Sequence, residues 1–170
     1  MTDVNVSQQR LAELRRLLIM DSTQDQAYDD LTRMAAQICS APIALITLLD
    51  DHRNWFKSRV GIQAHESPSE ESFCATALTT PSEVLIIRDA QQDPRFANHS
   101  MVTGDPYIRF YAGAPLVSSR GVAVGTICVI DREPRDLTPD QTRQLSFLAE
   151  QIMTIMEARV ETNAPSNITA

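Results

Sequence analysis

The sequence predicts an α+β fold, in which helices at both ends of the chain flank one antiparallel β-sheet. Two patterns predict this class. Apolar residues recur at helical spacing near both termini. Between them, short segments rich in β-branched and aromatic residues alternate with polar and glycine-containing turns, which is typical of strands joined as hairpins and meanders. With 170 residues, one domain of this kind buries a core without metal or disulfide support.

The first two elements are predicted to be helices, and together they occupy residues 5–40. Leucines from Leu11 to Leu18 recur at helical spacing with arginines on the other face, so the first helix ends near Met20. The segment Thr23–Gln26 has the order of a capping box, which opens a second helix. Pro42 ends that helix, since proline does not fit a helix interior.

Strands of the predicted sheet follow. Residues Ile43–Leu49 are apolar at both parities, so this strand is covered on both faces and lies near the sheet centre. After a polar turn, Trp55–Val60 returns beside it as a second strand. A polar loop over Gln63–Ser69 leads to a short helix at about Ser72–Leu78. Val84–Ile87 then forms a short third strand.

The predicted sheet ends in a hairpin. Asp93-Pro94 has the cap-then-proline order of a helical turn, and Ala97–Pro106 is expected to be a loop with little regular structure. Strands at about Ile108–Val117 and Ala123–Asp131 follow, joined by a tight polar turn that contains glycine. The sheet and its loops therefore span residues 43–131.

The last element is a predicted helix over residues 138–160. Thr138–Gln141 supplies a cap, a first-turn proline and a third-position glutamine. The apolar residues of this helix fill an arc of roughly 160°, wider than the ~100° that one buried contact needs. Either the first helix of the same chain or a second copy of the chain covers the extra face, and we favour a parallel homodimer. Residues 161–170 are polar and are expected to be disordered.

Composition excludes several classes of protein. The net charge of −7 argues against a nucleic-acid partner, which requires a basic surface. The apolar stretches are too short for a membrane span and the N-terminus has no signal-peptide core, so we expect a cytoplasmic protein without a membrane partner. Cys39, Cys74 and Cys128 are odd in number and widely spaced, which predicts neither a metal site nor a disulfide framework. Lys57, the only lysine, is expected to be solvated, with pairing to a buried carboxylate or ligand as the alternative.

Several segments together resemble the GAF domain, a sensory fold of signalling proteins. The resemblance covers the chain from about Leu11 to about Met156, and it implies a single GAF domain over residues 1–160. It implies a PAS-related sheet of five or six antiparallel strands, with the terminal helices on one face and a ligand pocket on the other. The segments that carry it are Phe73–Leu78, Asp89-Ala90, Asp93–Phe96, Ile108–Leu116 and Gly125–Asp131.

On the geometry that the resemblance implies, the pocket is roofed by the helix around Cys74 and by the Asp89–Tyr107 region. Its expected lining consists of Trp55, Phe73, Cys74, Phe96, Met101, Ile108, Phe110 and Tyr111, with Asp89 and Arg109 as polar elements. An apolar cavity with a few polar groups is typical of small-molecule sites. Core packing is the alternative for each aromatic residue. For Arg109 we favour tethering of the loop through bidentate pairing with Asp89 or Asp93.

The resemblance does not name a ligand, and the cofactor is left unknown. Phe96 is followed by Ala97 and Asn98, without the Asp-Glu pair of the cyclic-nucleotide-binding members. Cys74 precedes alanine, not the histidine found beside the chromophore cysteine of phytochrome-like members. The three histidines lie in predicted turns or polar loops, where a solvated ring is favoured over a haem ligand.

The leading hypothesis is a non-catalytic sensor or regulatory domain, whose unidentified small-molecule ligand biases the packing of the terminal helices. Similar GAF domains precede histidine kinase or diguanylate cyclase segments, so the expected output partner is one of these. One alternative is a free methionine sulfoxide reductase that uses Cys74 as nucleophile. Against it, Cys39 lies at a helix end and Cys128 inside a strand, so a second pocket thiol is not expected. The other alternative is a dimerisation module that binds no ligand.

Overall fold

The computed structural model describes residues 3–68 and 72–163. Five α-helices and six strands make up most of this part of the chain, together with a short 3-10 turn at Ala90–Gln92. The helices are α1 (Asp3–Leu17), α2 (Gln26–Cys39), α3 (Phe73–Ala77), α4 (Ser100–Thr103) and α5 (Pro139–Asn163). The strands are β1 (Ile43–Leu49), β2 (Arg53–Val60), β3 (Glu66–Pro68), β4 (Leu85–Ile87), β5 (Phe110–Val117) and β6 (Ala123–Asp131).

The six described strands form one sheet in the order β3-β2-β1-β6-β5-β4. Every neighbouring pair is antiparallel, so the predicted α+β class and sheet type are confirmed. Strands β1 and β6 lie at the centre, and every residue of β1 is buried, as the apolar run at both parities predicts. The chain between β4 and β5 crosses one face of the sheet and carries α4.

Each face of the sheet has its own apolar core. The helix face packs Ala44, Ile46 and Leu48 of β1 against α1, α2 and α5, where Tyr28 and Met156 are fully buried. The opposite face packs its strands against the segment that includes α3 and α4. Burial of each large apolar side chain contributes about 1.5–3 kcal/mol, so both layers stabilise the sheet.

An irregularity in β2 decides which residues face the helices. Ile46 pairs with Ser58, but Thr47 pairs with Phe56, so Lys57 is an extra residue in β2. This β-bulge turns the side chains of Lys57 and Ser58 towards the helix face, while Phe56 points to the other face.

The prediction that Lys57 is solvated is wrong. The bulge buries Lys57 under α2 with only 6% of its surface exposed. Its ammonium donates hydrogen bonds to the Ser22 hydroxyl (2.8 Å) and to the carbonyl of Thr23, and it lies 5.3 Å from the centre of the Tyr28 ring. Burial lowers the pKa of Lys57, although nearby aspartates oppose this shift.

Helix ends differ in part from the prediction. Asp25, not Thr23, caps α2, because its carboxylate accepts a hydrogen bond from the Ala27 N–H at 3.0 Å. The capping box at the start of α5 forms as predicted: Thr138 Oγ1 accepts from the Gln141 N–H at 3.1 Å, and the Gln141 side chain accepts from the Thr138 N–H at 2.9 Å.

Other predicted boundaries need correction. Helix α1 ends at Leu17 and not near Met20. Helix α5 continues to Asn163, so residues 161–163 of the expected disordered tail are helical, and the rest of that tail lies outside the described residues. Two expected loops contain regular structure. Strand β3 pairs with β2 inside the loop that was predicted after Val60, and α4 lies inside the Ala97–Pro106 loop.

A polar cluster joins both terminal helices to the β5–β6 turn. We call it the terminal latch, and its members are Glu13, Arg16, Ser118, Ser119 and Glu157. Arg16 donates to Glu157 from two nitrogens (2.8 and 3.0 Å) and to Glu13 at 2.5 Å. Glu157 also accepts from the N–H and hydroxyl of Ser119 (3.0 and 2.8 Å), and Glu13 accepts from the Ser118 hydroxyl. The latch therefore connects α1, α5 and the hairpin in one network.

Helices within the described ranges are not apolar over a length that would traverse a lipid bilayer.

Candidate ligand-binding site

A cavity of about 480 Å³ lies on the sheet face opposite the terminal helices. Its volume falls within the usual range of small-molecule sites. The strands supply its floor, and β3, α3 and α4 stand around it. The lining residues are Leu45, Thr47, Asn54, Phe56, Glu66, Ser67, Pro68, Ser72, Phe73, Cys74, His99, Ser100, Met101, Ile108, Tyr111, Cys128 and Ile130.

Helix α3 is fixed over the sheet by its first residues. Ser72 caps the helix, with its hydroxyl oxygen accepting from the Ala75 N–H at 3.0 Å. The same hydroxyl donates to Asn54 Oδ1 of β2 at 2.9 Å. The amide nitrogen of Asn54 in turn donates to Ser67 Oγ (3.2 Å) and to the Pro68 carbonyl (2.9 Å) of β3. One asparagine thus joins β2, β3 and α3 along one side of the cavity.

Aromatic rings form one wall. Phe73 stacks on Phe96, with 4.2 Å between ring centres and 7° between planes, and lies 5.0 Å from the Tyr111 ring. Tyr111 lies flat over Gly113, where an added Cβ would overlap the tyrosine hydroxyl and ring. The missing side chain of Gly113 therefore allows Tyr111 to lie against the sheet. Its hydroxyl is 3.4 Å from Thr126 Oγ1.

Two thiols share the floor with Tyr111. Cys74 of α3 and Cys128 of β6 both line the cavity, and the Thr126 hydroxyl donates to Cys74 Sγ at 3.7 Å. Burial raises the pKa of each thiol to about 12, and it also raises the pKa of Tyr111. All three groups are therefore neutral at physiological pH, and the thiolate form that a nucleophile needs is disfavoured.

The placement of Cys128 corrects the sequence analysis. It lies inside a strand as predicted, but alternation along β6 turns its side chain to the cavity face, together with Ile130. A second thiol is therefore present in the cavity. Cys39 is buried on the helix face, away from it.

The cavity lining also contains a carboxylate and an imidazole. Glu66 of β3 pairs with Arg53, with 2.9 Å between Oε2 and Nη1. His99 caps α4 by accepting from the Met101 N–H at Nδ1 (2.9 Å), so its neutral ring carries the proton on Nε2.

Arg109 holds the loop that carries α4. Its guanidinium donates to the carbonyls of Val102 and Ile108, both at 2.9 Å. The predicted tethering role is thus present, but the predicted carboxylate partners are wrong. Asp93 pairs with Arg95 at 2.8 Å, and Asp89 accepts from the Gln91 N–H at 3.1 Å at the start of the 3-10 turn.

The structure brings about half of the predicted lining residues together. Phe73, Cys74, Met101, Ile108 and Tyr111 line the cavity. Phe96 is buried behind Phe73 in the same apolar core, whereas Asp89 and Arg109 lie outside the lining.

Trp55 and Phe110 are on the wrong face. Both pack against the helix-face core, because their positions in β2 and β5 alternate with those of Phe56 and Tyr111. Arg135 lies over the Phe110 ring at 5.2 Å, on the side away from the cavity.

Several lining residues were not predicted, among them Asn54, Phe56 and Thr47. For Asn54 and Phe56 the signal was the alternation of side chains along β2, which places both residues on the face opposite Trp55. The described ranges contain no group of three or more His, Cys, Asp or Glu side chains arranged to hold a metal ion.

A family model described as GAF domain matches residues 23–156. A cyclic di-GMP phosphodiesterase of Pseudomonas aeruginosa is 37% identical over 158 residues, which make up 93% of this chain and 26% of that protein. Among solved structures, the GAF domain of a phosphoenolpyruvate-protein phosphotransferase from Acinetobacter has a TM-score of 0.67 at 16% identity, covering 98% of this chain and 100% of that chain. A free methionine-R-sulfoxide reductase from Neisseria meningitidis, solved with its substrate, has a TM-score of 0.66 at 14% identity, covering 95% of both chains.

The chain thus spans about a quarter of the length of the phosphodiesterase that it matches. At identities of 16% and 14%, the two solved structures share the fold with this chain, and a shared fold does not imply shared chemistry.

Proposed function

Because this chain belongs to the GAF domain family, we propose that it is a non-catalytic sensory domain that binds a small molecule and signals through its terminal helices. The observation that carries this proposal is the cavity of about 480 Å³. It lies on one sheet face, while α1 and α5 occupy the other, so a ligand and the helices contact the same strands from opposite sides. A ligand that shifts the strands from the cavity side therefore also changes how they pack against the terminal helices.

The connection from cavity to helices runs through the hairpin. Tyr111 and Cys128 line the cavity, and the strands that carry them, β5 and β6, both contact α5. The turn between these strands is bonded to α1 and α5 through the terminal latch. A ligand that shifts the hairpin would therefore bias both terminal helices together, with a strength set by its differential affinity for the two arrangements.

The proposed assembly is a homodimer through the terminal helices. Val4 and Leu18 of the N-terminal region are 65% and 61% exposed, and Phe147 of α5 is 57% exposed. Val4 and Leu11 are seven residues apart on α1, which is the spacing of one position in a coiled-coil heptad, and Leu18 lies just beyond the end of that helix. This apolar stripe fits the same stripe on a second copy better than it fits water.

The proposed output partner is a signalling enzyme. The phosphodiesterase relative is named for cyclic di-GMP, and the histidine kinases and diguanylate cyclases expected from the resemblance belong to the same broad class of output. We infer that this domain regulates such an enzyme.

Native mass spectrometry of freshly purified protein tests the proposal, because it reports a retained small molecule and the number of chains together. Ser100→Trp, at the exposed edge of the cavity, is expected to lose the bound mass. Gln144→Trp, exposed on α5, is the matched control and is expected to keep it. Absence of a bound mass, together with no thermal shift across a metabolite library, would reject sensing and leave a dimerisation module.

A thiol enzyme remains the second candidate, because Cys74 and Cys128 line one cavity. In that reaction the Cys74 thiolate attacks methionine sulfoxide and, with one proton from water, takes its oxygen as a sulfenic acid, releasing methionine. Cys128 then condenses with it, giving a disulfide and water, and a dithiol reductant restores both thiols. The raised pKa of both thiols disfavours the first step. Thioredoxin-dependent loss of methionine sulfoxide that Cys74→Ser abolishes would establish the enzyme in place of the sensor.

A further inference from the structure

Charge is the first property that narrows the class of ligand. Arginine and lysine are missing from the cavity lining formed by the described residues. The sequence between β3 and α3 contains no arginine or lysine. Two nearby guanidinium groups are already paired, Arg53 with Asp21 (2.6 Å) and Glu66, and Arg109 with backbone carbonyls. A third, Arg10, is close enough to Cys74 to interact with it electrostatically but lies outside the cavity lining. A phosphate or carboxylate on a ligand would therefore contact no cationic side chain in the described lining.

The floor of the cavity makes an ionised ligand group still less favourable. Tyr111, Cys74 and Cys128 are buried and neutral, and Thr126 beside them is fully buried. These groups offer weak dipoles in place of a hydration shell. An ion transferred from water to such surroundings loses more solvation than the dipoles return. The edge holds one lining carboxylate, Glu66, and Arg53 already neutralises it.

The shape and chemistry of the walls favour a ring. Phe56, Phe73 and Tyr111 contribute three aromatic rings to the lining, and Cys74, Met101 and Cys128 contribute three sulfur atoms. Aromatic rings attract one another in offset or edge-to-face arrangements, and polarisable sulfur makes favourable contacts with ring edges. Such a wall binds a flat ring better than a flexible aliphatic chain.

Hydroxyl and imidazole groups in the lining suit a neutral polar substituent. Ser67 and Ser100 line the cavity at part-exposed and exposed positions, and His99 lines it at a buried position. Hydroxyl groups donate or accept as required, so they match an amide or a ring N–H without any net charge.

We propose that the cavity binds an uncharged heteroaromatic or aromatic amide-type molecule and discriminates against anions, including nucleotides. This proposal rests on the proposed sensing function and adds the chemical class of the ligand to it. The feature that carries it is a cavity lined by three aromatic rings and three sulfur atoms, with hydroxyl groups at its edge and no cationic side chain in its described lining.

Isothermal titration calorimetry of the full chain with matched pairs of probes tests the class. The pairs are nicotinamide with nicotinate, benzamide with benzoate, and indole with indole-3-carboxylate, each at neutral pH. The members of a pair share the ring, so the charge is the main difference. In at least one pair the neutral member is expected to bind at least about tenfold more tightly than the anion. A carboxylate that binds as tightly as its neutral partner, in every pair that binds, would overturn the proposal.

A substitution that adds a cation supplies the second arm. Met101 is part-buried at the edge, where a lysine side chain reaches the cavity with its charge near water. Met101→Lys is expected to shift the preference towards the carboxylate by about tenfold relative to Met101→Gln, which is similar in length and uncharged. An equal preference in the two variants would contradict the assignment of charge as the determinant. Circular dichroism of both variants verifies that they fold.

Different results would reject the proposed sensing function and the proposed ligand class. If none of the six probes binds, the assigned class is wrong, while a retained ligand in the native mass spectrum still supports sensing. If the probes bind but the helices do not respond in hydrogen exchange, the ligand class stands and the signalling function fails.

Discussion

At the residue scale, the position of Tyr111 depends on the absence of a side chain at Gly113. Both lie on β5 and face the cavity side of the sheet, two residues apart. The ring of Tyr111 occupies the space that a Cβ at Gly113 would need, and its hydroxyl reaches Thr126 on β6. One glycine thus keeps the tyrosine against the sheet and the volume above it open.

Gly113→Ala is expected to force Tyr111 out of this position. Because the new methyl group overlaps ring atoms that are fully buried, we expect a loss of about 1–3 kcal/mol in the free energy of unfolding, and weaker ligand binding. Urea denaturation gives the first quantity. In a Tyr111→Phe background, which removes the overlapping hydroxyl, the loss is expected to be smaller. Equal losses in both backgrounds would show that the overlap with the hydroxyl is not the cause.

Residue composition alone does not reveal which face of the sheet a side chain joins. Trp55 and Phe56 are adjacent aromatic residues in β2, and so are Phe110 and Tyr111 in β5. In each pair, one ring points to each face of the sheet. The apolar character of the two residues therefore does not reveal which ring faces the cavity. The choice follows from tertiary pairing, in which Thr47 opposes Phe56 and Leu48 opposes Trp55. The cavity position of Tyr111 could be predicted, whereas those of Trp55 and Phe110 were assigned to the wrong face.

At the scale of elements, α3 is too short to hold its position by helical hydrogen bonds alone. Ser72 supplies both its cap and its bond to Asn54 of β2. The helix and the strand are therefore joined through one hydroxyl.

Ser72→Ala is expected to lower the free energy of unfolding by about 1 kcal/mol, because the cap and the bond to Asn54 are lost together. Ligand affinity is expected to fall as well, since Phe73 and Cys74 lose their anchor. Thr79→Ala, an exposed change just beyond α3, is the control for thermal and binding measurements. Unchanged affinity in Ser72→Ala would show that α3 is positioned by its apolar contacts alone.

Elements with strong local signals were predictable from the sequence, and short ones formed by tertiary contacts were not. The hairpin β5–β6 and the start of α5 carry their own turn and cap residues, so both were found. Strand β3 exists because it pairs with β2, and α4 follows from a histidine cap, a rarer signal than Ser, Thr, Asp or Asn. Helix α5 continues to Asn163, beyond its last strongly apolar residue, so the apolar pattern did not predict where the helix ends.

The carboxylates of the terminal latch make the free energy of unfolding depend on pH. Hydrogen bonds from Arg16 lower the pKa of Glu157 to about 2, below its ordinary value. The ionised Glu157 carboxylate therefore stabilises the fold fully above the ordinary glutamate pKa, and this stabilisation is lost as the pH falls towards 2. Burial opposes ionisation of Glu13, but bonds from Arg16 and Ser118 outweigh it and lower its pKa too.

Glu157→Gln is expected to lower the free energy of unfolding by about 1–2 kcal/mol at neutral pH, after allowance for solvent screening. The difference from the unaltered protein should shrink as the pH falls from about 4.5 to about 2, below which the carboxylate is protonated in both the folded and the unfolded state. Denaturation at a series of pH values measures it. Glu150→Gln, exposed on the same helix, is the control. A difference that is independent of pH would show that the charge of Glu157 is not responsible.

At the scale of the whole molecule, the proposed dimer depends on apolar residues that the fold leaves exposed on α5 and next to the end of α1. Leu18→Glu combined with Phe147→Glu is expected to convert the dimer to a monomer, because each protomer would place two charges in the apolar contact. Sedimentation equilibrium measures the change. Met34→Glu, at an exposed apolar position of α2, is the control for a surface charge elsewhere. A dimer that persists in the double variant would place the interface elsewhere.

The burial of Lys57 has a practical consequence for handling the protein. Since this side chain is the only ε-amine in the sequence and is enclosed beneath α2, reagents that acylate amines should attach a dye or a solid support through the N-terminal α-amine alone. Peptide mapping after labelling would verify this, and modified Lys57 in the native protein would contradict it.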